Sequence, residues 1–237
     1  MAEPDVGECA FDGATIPAVI GPFPPTDFHT FAAGRKNPGA RLAVSEHDMD
    51  LVAVKGAPGA PEGQVVVIRG QLIAPNCEPL VGAHVKLWQA DHYGHYNHEH
   101  ERTSVMKTDL DASFGYWGST QTDGEGRFVL KTVVPGSYPA SGDWWRPPHL
   151  HWTLSAKGMK PVTTQTYFDG DLLDGIDKIR KQMAIDYIVN MTRGFEEGFS
   201  GKGLEQARQR VLAEQVAKFA KGDDGLPTGS LTFRLAT

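Results

Sequence analysis

The stretch Thr122-Asp-Gly-Glu-Gly-Arg-Phe-Val-Leu-Lys-Thr-Val133 joins a tight turn to a strand and sets the expectation for the rest of the chain. Residues 122–126 combine an aspartate with two glycines, a composition typical of a hairpin turn. Residues 127–133 are rich in β-branched and aromatic side chains, as strands are. The sequence therefore predicts a β-strand that leaves a tight turn at Gly126.

Further segments on both sides of this turn also have the composition of strands. Residues 65–68 are a short apolar run, suited to a strand that is covered on both faces. Near the end of the chain, Leu231, Phe233 and Leu235 alternate with polar residues and share one face of a strand. The predicted strands are residues 65–68, 84–88, 149–155, 162–168 and 230–236. Short strands separated by Gly and Pro turns predict a mainly β fold, a prealbumin-like β-sandwich.

The two ends of the chain differ from this pattern. Residues 1–62 are rich in proline and show little periodicity, so we interpret them as an extended N-terminal arm, with a partly disordered tail left open for residues 1–15. Residues 63–237 are then the β-sandwich domain. One late helix is predicted to end near Lys221, and residues 176–190 are a second helix or a loop with helical turns. The first helix is indicated by an apolar stripe of Leu204, Ala207, Val211, Leu212, Val216 and Phe219.

Composition limits the classes of partner. The chain has 237 residues, 40% of them hydrophobic, and a formal net charge of −6. This charge disfavours nucleic acid and acidic membrane surfaces, which bind basic faces. With only Cys9 and Cys77, and with no signal peptide or membrane-spanning stretch visible, we expect no disulfide framework and a cytoplasmic location.

Two histidines lie two residues apart in the predicted strand 149–155. Side chains at such positions point to the same side, with Cα atoms about 6.6 Å apart, so His149 and His151 can converge on one ion. Leu150, Trp152 and Leu154 then form the opposite, apolar face and belong to the core. A His-x-His pair can also be simple decoration of a strand surface. Between 152 and 168 there is no Asp or Glu, so a site of two histidines and one carboxylate is not supported nearby.

Two tyrosines in Gly- and Pro-containing segments are candidate partners of the histidines. Tyr138 stands in Pro135-Gly-Ser-Tyr-Pro139, where the prolines fix the backbone. Tyr96 is predicted to end a strand whose exit contains Gly94. Taken alone, each tyrosine is more often a core or rim aromatic than a ligand. Two phenols and two imidazoles suit a hard, highly charged ion, and ferric iron is the natural candidate. A ferric ion, two tyrosinates and one hydroxide sum to zero charge, so such a centre can be buried.

A second group of histidines offers a competing interpretation. His92, His95, His98 and His100 lie close together and could form a separate zinc or nickel site. Glu99 lies between the last two histidines and Glu101 follows them. The spacing of these residues matches no compact four-ligand pattern. We therefore interpret this stretch as a solvated loop, and keep a zinc hydrolase as an alternative.

Taken together, these motifs resemble those of the intradiol ring-cleavage dioxygenases. In that family a tyrosine follows a Trp-Gln-Ala segment, as Tyr96 follows Trp88-Gln-Ala90, and a second stands in Pro-Gly-x-Tyr-Pro, as Tyr138 does. Two histidines stand in Arg-Pro-x-His-x-His, here residues 146–151, and a glutamine follows on the next strand, here Gln165. Catechol and hydroxyquinol enzymes of the family carry a helical N-terminal domain, whereas this chain has a proline-rich arm there. In this respect, and in residues 46–51, the chain is more similar to the protocatechuate 3,4-dioxygenase branch.

The resemblance implies a complete function. A non-haem Fe(III) centre held by Tyr96, Tyr138, His149 and His151 would cleave a catecholic ring with O2 to a cis,cis-muconate. Tyr138 would take a substrate proton as it leaves the iron, and Arg146 and Gln165 would stabilise and orient the reacting groups. The resemblance also implies a homo-oligomer, or a hetero-oligomer with a related subunit.

A non-enzymatic interpretation stays open beside it. The segments of residues 70–87 and 122–138 also resemble transthyretin-like β-sandwich binding modules, which need no iron. The Arg146-Pro-Pro-His-Leu-His151 segment discriminates between the two, because a binding module has no reason to carry it.

Overall fold

The computed structural model describes Thr15, residues 48–98, 110–141 and 144–168, Leu172 and residues 214–237. Within these residues the chain forms two five-stranded β-sheets and one two-stranded hairpin. The strands, numbered along the chain, are β1 (Asp48–Asp50), β2 (Val65–Ile73), β3 (His84–Gln89), β4 (Trp117–Gln121), β5 (Arg127–Val133), β6 (Tyr138–Ser141), β7 (Trp144–Arg146), β8 (His149–Ser155), β9 (Val162–Phe168), β10 (Val216–Ala217), β11 (Phe219–Lys221) and β12 (Pro227–Arg234).

The strand orders place β2 and β8 at the centres of the two sheets. The first sheet has the order β1-β5-β2-β12-β11, with β2 antiparallel to β5 and parallel to β12. The second has the order β10-β9-β8-β3-β4, with β8 antiparallel to both of its neighbours. The separate hairpin pairs β6 with β7. Because β8 is a central strand, its backbone is hydrogen-bonded on both sides and its side chains have neighbours on both flanks.

The two sheets pack face to face through the apolar side chains of alternating strand positions. Trp152 on β8 packs against Phe128 and Phe233 of the other sheet, with ring centroids 5.7 and 5.5 Å away. Its indole N–H donates to Thr166 Oγ1 at 2.9 Å, so the polar end of this buried ring is satisfied. This two-layer core confirms the predicted β-sandwich. Other core side chains with no measurable exposure include those of Val66, Ile68, Leu72, Val85, Leu87, Leu130, Leu150 and Leu154.

The strands predicted from composition are present, and three of them have the predicted ends. These three are β5, β8 and β9, whereas β2 continues to Ile73 and β12 begins already at Pro227. The predicted apolar face of the last strand is confirmed, because Leu231, Phe233 and Leu235 are all buried. Strand existence was therefore easier to predict than strand length.

The prediction of a late helix is wrong in its last part. Among the described residues of this segment, 214–215 are helical, but β10 and β11 follow at once. β10 pairs in parallel with the end of β9, and the ring of Phe219 stacks on that of Phe168 at 5.5 Å. Strand pairing here overrides the helical spacing of the apolar residues. The rest of this prediction, residues 204–213, and the second candidate, residues 176–190, lie outside the described residues. No helix within the described part is long and apolar enough to cross a membrane.

Two parts of the predicted N-terminal arm are described, and both contact the sandwich. β1 lies inside the range 1–62 and pairs in parallel with β5. Thr15 donates its backbone N–H to the carbonyl of Arg234 at 2.8 Å, and its hydroxyl oxygen accepts from the Arg234 N–H at 2.6 Å. The domain boundary at residue 62 stays a prediction, although β1 is part of the first sheet.

The sequence predicts no disulfide framework, and one of its two cysteines, Cys77, is nevertheless disulfide-bonded. This residue lies in the turn after β2, adopts φ 68° and is disulfide-bonded. The other cysteine of the sequence, Cys9, lies outside the described residues. Because disulfides are rare in a reducing cytoplasm, this bond does not support the cytoplasmic location, which stays a prediction.

The contact between Gly70 and Phe128 gives a test of the first sheet. Gly70 on β2 lies opposite Phe128 on β5, and a Cβ at Gly70 would fall 2.1 Å from the ring carbon Cζ of Phe128. The ring is buried and packed against Trp152, so it cannot move aside at low cost. We expect Gly70→Ala to lower the free energy of unfolding by about 1–3 kcal/mol, as overpacking does. Urea unfolding followed by circular dichroism measures the change.

Gly124 provides the matched control. It lies in the exposed turn before β5, and a Cβ there meets no atom within 4 Å. Gly124→Ala should change the free energy of unfolding by less than about 0.5 kcal/mol. Equal unfolding midpoints for the two variants would show that Phe128 does not lie over Gly70.

Candidate metal centre

Strand β8 carries both histidines on the face opposite to the core. His149 and His151 alternate with Leu150 and Trp152, which point into the space between the sheets. The histidines are nevertheless 1% and 0% exposed, so this face is also covered. Across the strands, His151 lies opposite Gln165 on β9 and opposite Trp88 on β3. The alternation predicted from the sequence thus places both imidazoles in a buried site.

Each imidazole ring is held in a defined orientation. His149 donates its Nδ1–H to the carbonyl oxygen of Pro147 at 2.7 Å, which leaves the lone pair on Nε2. The ring of His151 stacks on that of Trp88, with centroids 4.8 Å apart and planes 7° from parallel. Its Nδ1 has no hydrogen-bond partner among the described residues, so this ring is oriented by stacking and by the contacts of its Nε2 atom. The two Nε2 atoms lie 3.1 Å from each other.

Both imidazoles are neutral at pH 7. Burial lowers the pKa of His149 well below its ordinary value, and the nearby Arg146 and His151 lower it further. Burial and Arg146 do the same to the pKa of His151. A neutral imidazole offers a lone pair to a metal ion, whereas a protonated one does not.

Tyr96 reaches both histidines from a loop. Its phenol oxygen lies 3.1 Å from His149 Nε2 and 3.1 Å from His151 Nε2, and its side chain is 2% exposed. The sequence placed Tyr96 at the exit of a strand, but β3 already ends at Gln89. A compact turn over residues 91–95 lies between the strand and the tyrosine. The position of Tyr96 therefore depends on this turn and not on the sheet.

Tyr138 approaches from the other side, on the hairpin of β6 and β7. Its phenol oxygen lies 3.4 Å from His149 Nε2. It is paired across the hairpin with Arg146, whose Nη1 donates to the phenol oxygen at 3.1 Å. The ring planes of Tyr96 and Tyr138 are nearly perpendicular, with centroids 5.5 Å apart. All four predicted ligands therefore meet at one place, and Tyr138 is the most distant from the histidine pair.

Arg146 and Gln165 form a second layer over this group. Arg146 is 5% exposed, and its Nη2 donates to Gln165 Oε1 at 2.8 Å. The same oxygen accepts a hydrogen bond from the hydroxyl of Tyr167 at 3.0 Å. Two donors on Oε1 fix the orientation of the Gln165 amide. The structure thus brings all the predicted site residues together.

Tyr167 was not recognised from the sequence as part of the site. It lies two residues after Gln165 on β9, hence on the same face of the strand, and directly opposite His149. Its ring is 6.2 Å from that of His149. The spacing of two from Gln165 was a usable signal, but the pairing with His149 requires the register of β8 and β9.

The geometry fits a bound metal ion. Tyr96 Oη, His149 Nε2 and His151 Nε2 are 3.1 Å from one another. Metal–nitrogen bonds in proteins are about 2.1 Å long, so two ligand atoms at right angles on one ion lie about 3.0 Å apart. The three atoms therefore have the separation of ligands that share one ion, and the phenol oxygens favour a hard ion.

The alternative site in the histidine-rich stretch receives no support from the described residues. There, no group of three His, Cys, Asp or Glu side chains could hold a metal ion, and His100 lies outside this part of the chain. The interpretation of the stretch as a solvated loop is wrong at His95 and His98, which are only 5% and 8% exposed, whereas His92 is exposed.

Curated relatives match part of the chain. The chain is 34% identical over 141 residues to the protocatechuate 3,4-dioxygenase beta chain of Burkholderia cepacia, covering 58% of each chain. It is 32% identical over 126 residues to catechol 1,2-dioxygenase 2 of Acinetobacter lwoffii, covering 48% of this chain and 43% of that protein. The chain thus spans about half the length of these relatives.

Solved structures show the same fold. The 3-chlorocatechol 1,2-dioxygenase from Rhodococcus opacus 1CP superposes with a TM-score of 0.56 over 94% of this chain and 73% of that one, at 19% identity. A family model described as Dioxygenase matches residues 39–206, which include all four candidate ligands and Gln165. The chain belongs to the intradiol ring-cleavage dioxygenase family.

Proposed function

We propose that this chain is a non-haem Fe(III) dioxygenase that cleaves a catecholic ring with O2, between the two oxygenated carbons, to a cis,cis-muconate. The observation that carries the proposal is the convergence of one phenol and two neutral imidazoles at mutual distances of 3.1 Å, with a second phenol at 3.4 Å. This convergence joins residues up to 55 positions apart in the chain.

The donor set favours ferric iron over other ions. A high positive charge deprotonates a phenol that it binds, as metal ions do to their ligands. Two phenolates would then supply negative charge while His149 and His151 stay neutral. The positive guanidinium of Arg146, 3.1 Å from the Tyr138 oxygen, also lies beside one of these phenols. Soft ions prefer thiolate ligands, and the cluster contains none.

The two tyrosines have different proposed roles. Tyr96 contacts both histidines, so it would remain a ligand throughout the reaction. Tyr138 contacts one histidine at a longer distance and is also hydrogen-bonded to Arg146. It would leave its position when a catechol arrives and accept one of the two hydroxyl protons of the substrate, while a hydroxide ion would accept the other. A ferric ion bound there would make the dianionic ring reactive towards dioxygen.

Arg146 and Gln165 would act on the reacting ring. The Arg146 guanidinium is held on two sides, by Tyr138 and Gln165, and so offers a fixed positive charge for negative charge that develops on the ring. Gln165 Oε1 accepts from Arg146 and Tyr167, which directs its amide N–H groups elsewhere and makes the amide a fixed donor. Preorganised donors of this kind need no rearrangement during the reaction.

The proposed substrate class is a catechol of protocatechuate or catechol type. The named relatives are dioxygenases of protocatechuate, of catechol and of 6-chlorohydroxyquinol. The relative with 34% identity is named a beta chain, which supports the proposal that this chain is a homo-oligomer or joins a related subunit. The location proposed from composition is cytoplasmic.

The experiment that tests the proposal combines metal analysis with visible spectroscopy. We expect about one iron per chain and a broad tyrosinate-to-iron band, which shifts when protocatechuate or catechol is added without oxygen. After oxygen is admitted, the product should absorb as a cis,cis-muconate. A colourless protein that takes up no iron on ferric reconstitution would reject the proposal and favour the transthyretin-like binding module.

Removal of one histidine tests the ligand assignment. We expect His149→Ala to weaken iron binding by more than the roughly 10–100-fold that loss of an outer-shell partner costs. The matched control is His84→Ala, because His84 lies at the exposed start of β3, away from the cluster. Iron per chain and the visible band measure both variants. Full iron content in His149→Ala would show that His149 is not a ligand.

Removal of each phenol tests the division of roles between the tyrosines. We expect Tyr138→Phe to keep its iron and to lose about 100-fold or more in turnover, a loss typical of a missing proton acceptor. Tyr96→Phe should instead lose iron, because Tyr96 contacts both histidines. Iron analysis and anaerobic stopped-flow binding of a catechol separate the two effects. The opposite ranking of iron contents would contradict this assignment.

A further inference from the structure

The loop before Tyr96 is a five-residue turn organised by Asp91. The Asp91 N–H donates to the His95 carbonyl at 2.8 Å, and the Gly94 N–H donates to the Asp91 carbonyl at 3.0 Å. Asp91 Oδ1 accepts from the backbone N–H groups of Tyr93 and His95 at 2.9 and 3.0 Å. Gly94 adopts φ 88°, a conformation that favours glycine. One aspartate thus closes the turn that precedes Tyr96.

The same turn occurs a second time, before β5, with Asp123 in the place of Asp91. The Asp123 N–H donates to the Arg127 carbonyl at 2.9 Å, and the Gly126 N–H donates to the Asp123 carbonyl at 3.1 Å. Asp123 Oδ1 accepts from the N–H groups two and four residues later, at 2.9 and 2.7 Å. The glycine again has positive φ, 71°. The turn at Asp123 therefore forms with Oδ1 contacts and backbone hydrogen bonds, and no Oδ2 contact is described for it.

Asp91 makes two contacts that have no counterpart among those described for Asp123. Its Oδ2 accepts a hydrogen bond from the Tyr116 hydroxyl at 3.0 Å. Its carbonyl oxygen accepts a second N–H, that of Gly136, at 2.8 Å. Gly136 lies two residues before Tyr138, so this bond joins the segment of one candidate ligand to the segment of the other. Asp91 has no measurable exposure, whereas Asp123 is half-buried.

The two tyrosine segments are in backbone contact at this bond. A Cβ at Gly136 would fall 2.4 Å from the Gly94 nitrogen, and a Cβ at Gly94 would fall 2.7 Å from the Ser137 carbonyl oxygen. No side chain lies between the segments to absorb a shift. A change in the hydrogen bonds of Asp91 would therefore move one tyrosine relative to the other.

Tyr116 connects Asp91 to the sheet. It precedes β4, and its carbonyl accepts from the Gln89 N–H at the end of β3 at 2.9 Å. It has φ 59°, which is uncommon for a residue other than glycine, so its phenol is held in an unusual direction. That direction brings its hydroxyl to Asp91, with both side chains buried.

We propose that Asp91 is a positioning residue that sets the separation of the two tyrosine ligands, Tyr96 and Tyr138. None of its described hydrogen bonds is made to the four candidate ligands. It acts through the turn that leads to Tyr96, through the Gly136 N–H that leads to Tyr138, and through Tyr116, which fixes both to the sheet. The inference rests on the proposed ferric site.

The test compares Asp91→Ala and Asp91→Asn with the matched control Asp123→Ala. Ferric affinity is measured by competition with a chelator, the tyrosinate-to-iron band by visible spectroscopy, and stability by the thermal midpoint of the metal-free protein. We expect Asp91→Ala to bind ferric iron about 10–100-fold more weakly, as loss of an outer-shell partner does, and to shift the band. Asp123→Ala loses the same turn contacts, so its midpoint should fall while its affinity and band stay as in the wild type.

Asp91→Asn should restore both the affinity and the band. An asparagine oxygen can accept from the same two backbone N–H groups, and its amide can donate to the Tyr116 oxygen. If Asp91→Ala does not fold, Tyr116→Phe takes its place, because it removes the Oδ2 contact and leaves the turn intact. It should also weaken ferric binding and shift the band.

The outcomes separate this inference from the proposed function. A wild-type protein that binds no ferric iron rejects both. In the other negative outcome the wild-type protein binds ferric iron, but Asp91→Ala, or its substitute Tyr116→Phe, has the same ferric affinity and the same band as Asp123→Ala. That result overturns the positioning role and leaves the ferric site standing.

Discussion

The structure depends on the burial of β8 on both of its faces. One face, with Leu150 and Trp152, fills the space between the sheets, and the other carries His149 and His151 under the two tyrosine segments. A shift of the strand by one residue would place imidazoles in the apolar core and leucines at the site. The packing that stabilises the sandwich therefore also fixes the histidine pair, and the site needs no separate device to hold it.

Burial also determines the charges at the site. Desolvation and the guanidinium of Arg146 both lower the pKa of each histidine, so the pair provides neutral donors. The guanidinium of Arg146 is a buried positive charge, and the two imidazoles are neutral. Within this cluster, only the two phenols can therefore supply negative charge. This arrangement is unfavourable for an ordinary structural core, where buried charge is costly unless compensated. It becomes reasonable if the cluster holds a highly charged ion, as proposed.

The local sequence pattern predicted most of the features that depend on residues close together in the chain, namely strands and a turn. The alternation in residues 149–155 and 230–236 and the turn at 122–126 gave the right strands, and their number and brevity gave the sandwich. The strand 216–217 was mistaken for helix, because its pairing with β9 comes from a segment far away in sequence. The position of Tyr167 at the site likewise follows from the register of β8 and β9, and the burial of His95 follows from loop packing. Sequence motifs identified Tyr96 and Tyr138 as candidate ligands. The turn at Asp91 that links their two segments was not predicted from the sequence.

The site combines a rigid half with a half that lies outside the large sheets. The histidines belong to the central strand of a five-stranded sheet, whereas Tyr138 and Arg146 face each other on the separate β6–β7 hairpin. A two-stranded hairpin gives up fewer contacts than a central strand when one of its side chains moves. Tyr138, the ligand proposed to leave during the reaction, thus lies on the β6–β7 hairpin, the element that can move at lower cost. The cation on the same hairpin would stay beside the oxygen that leaves, because a hydrogen bond already joins the two groups.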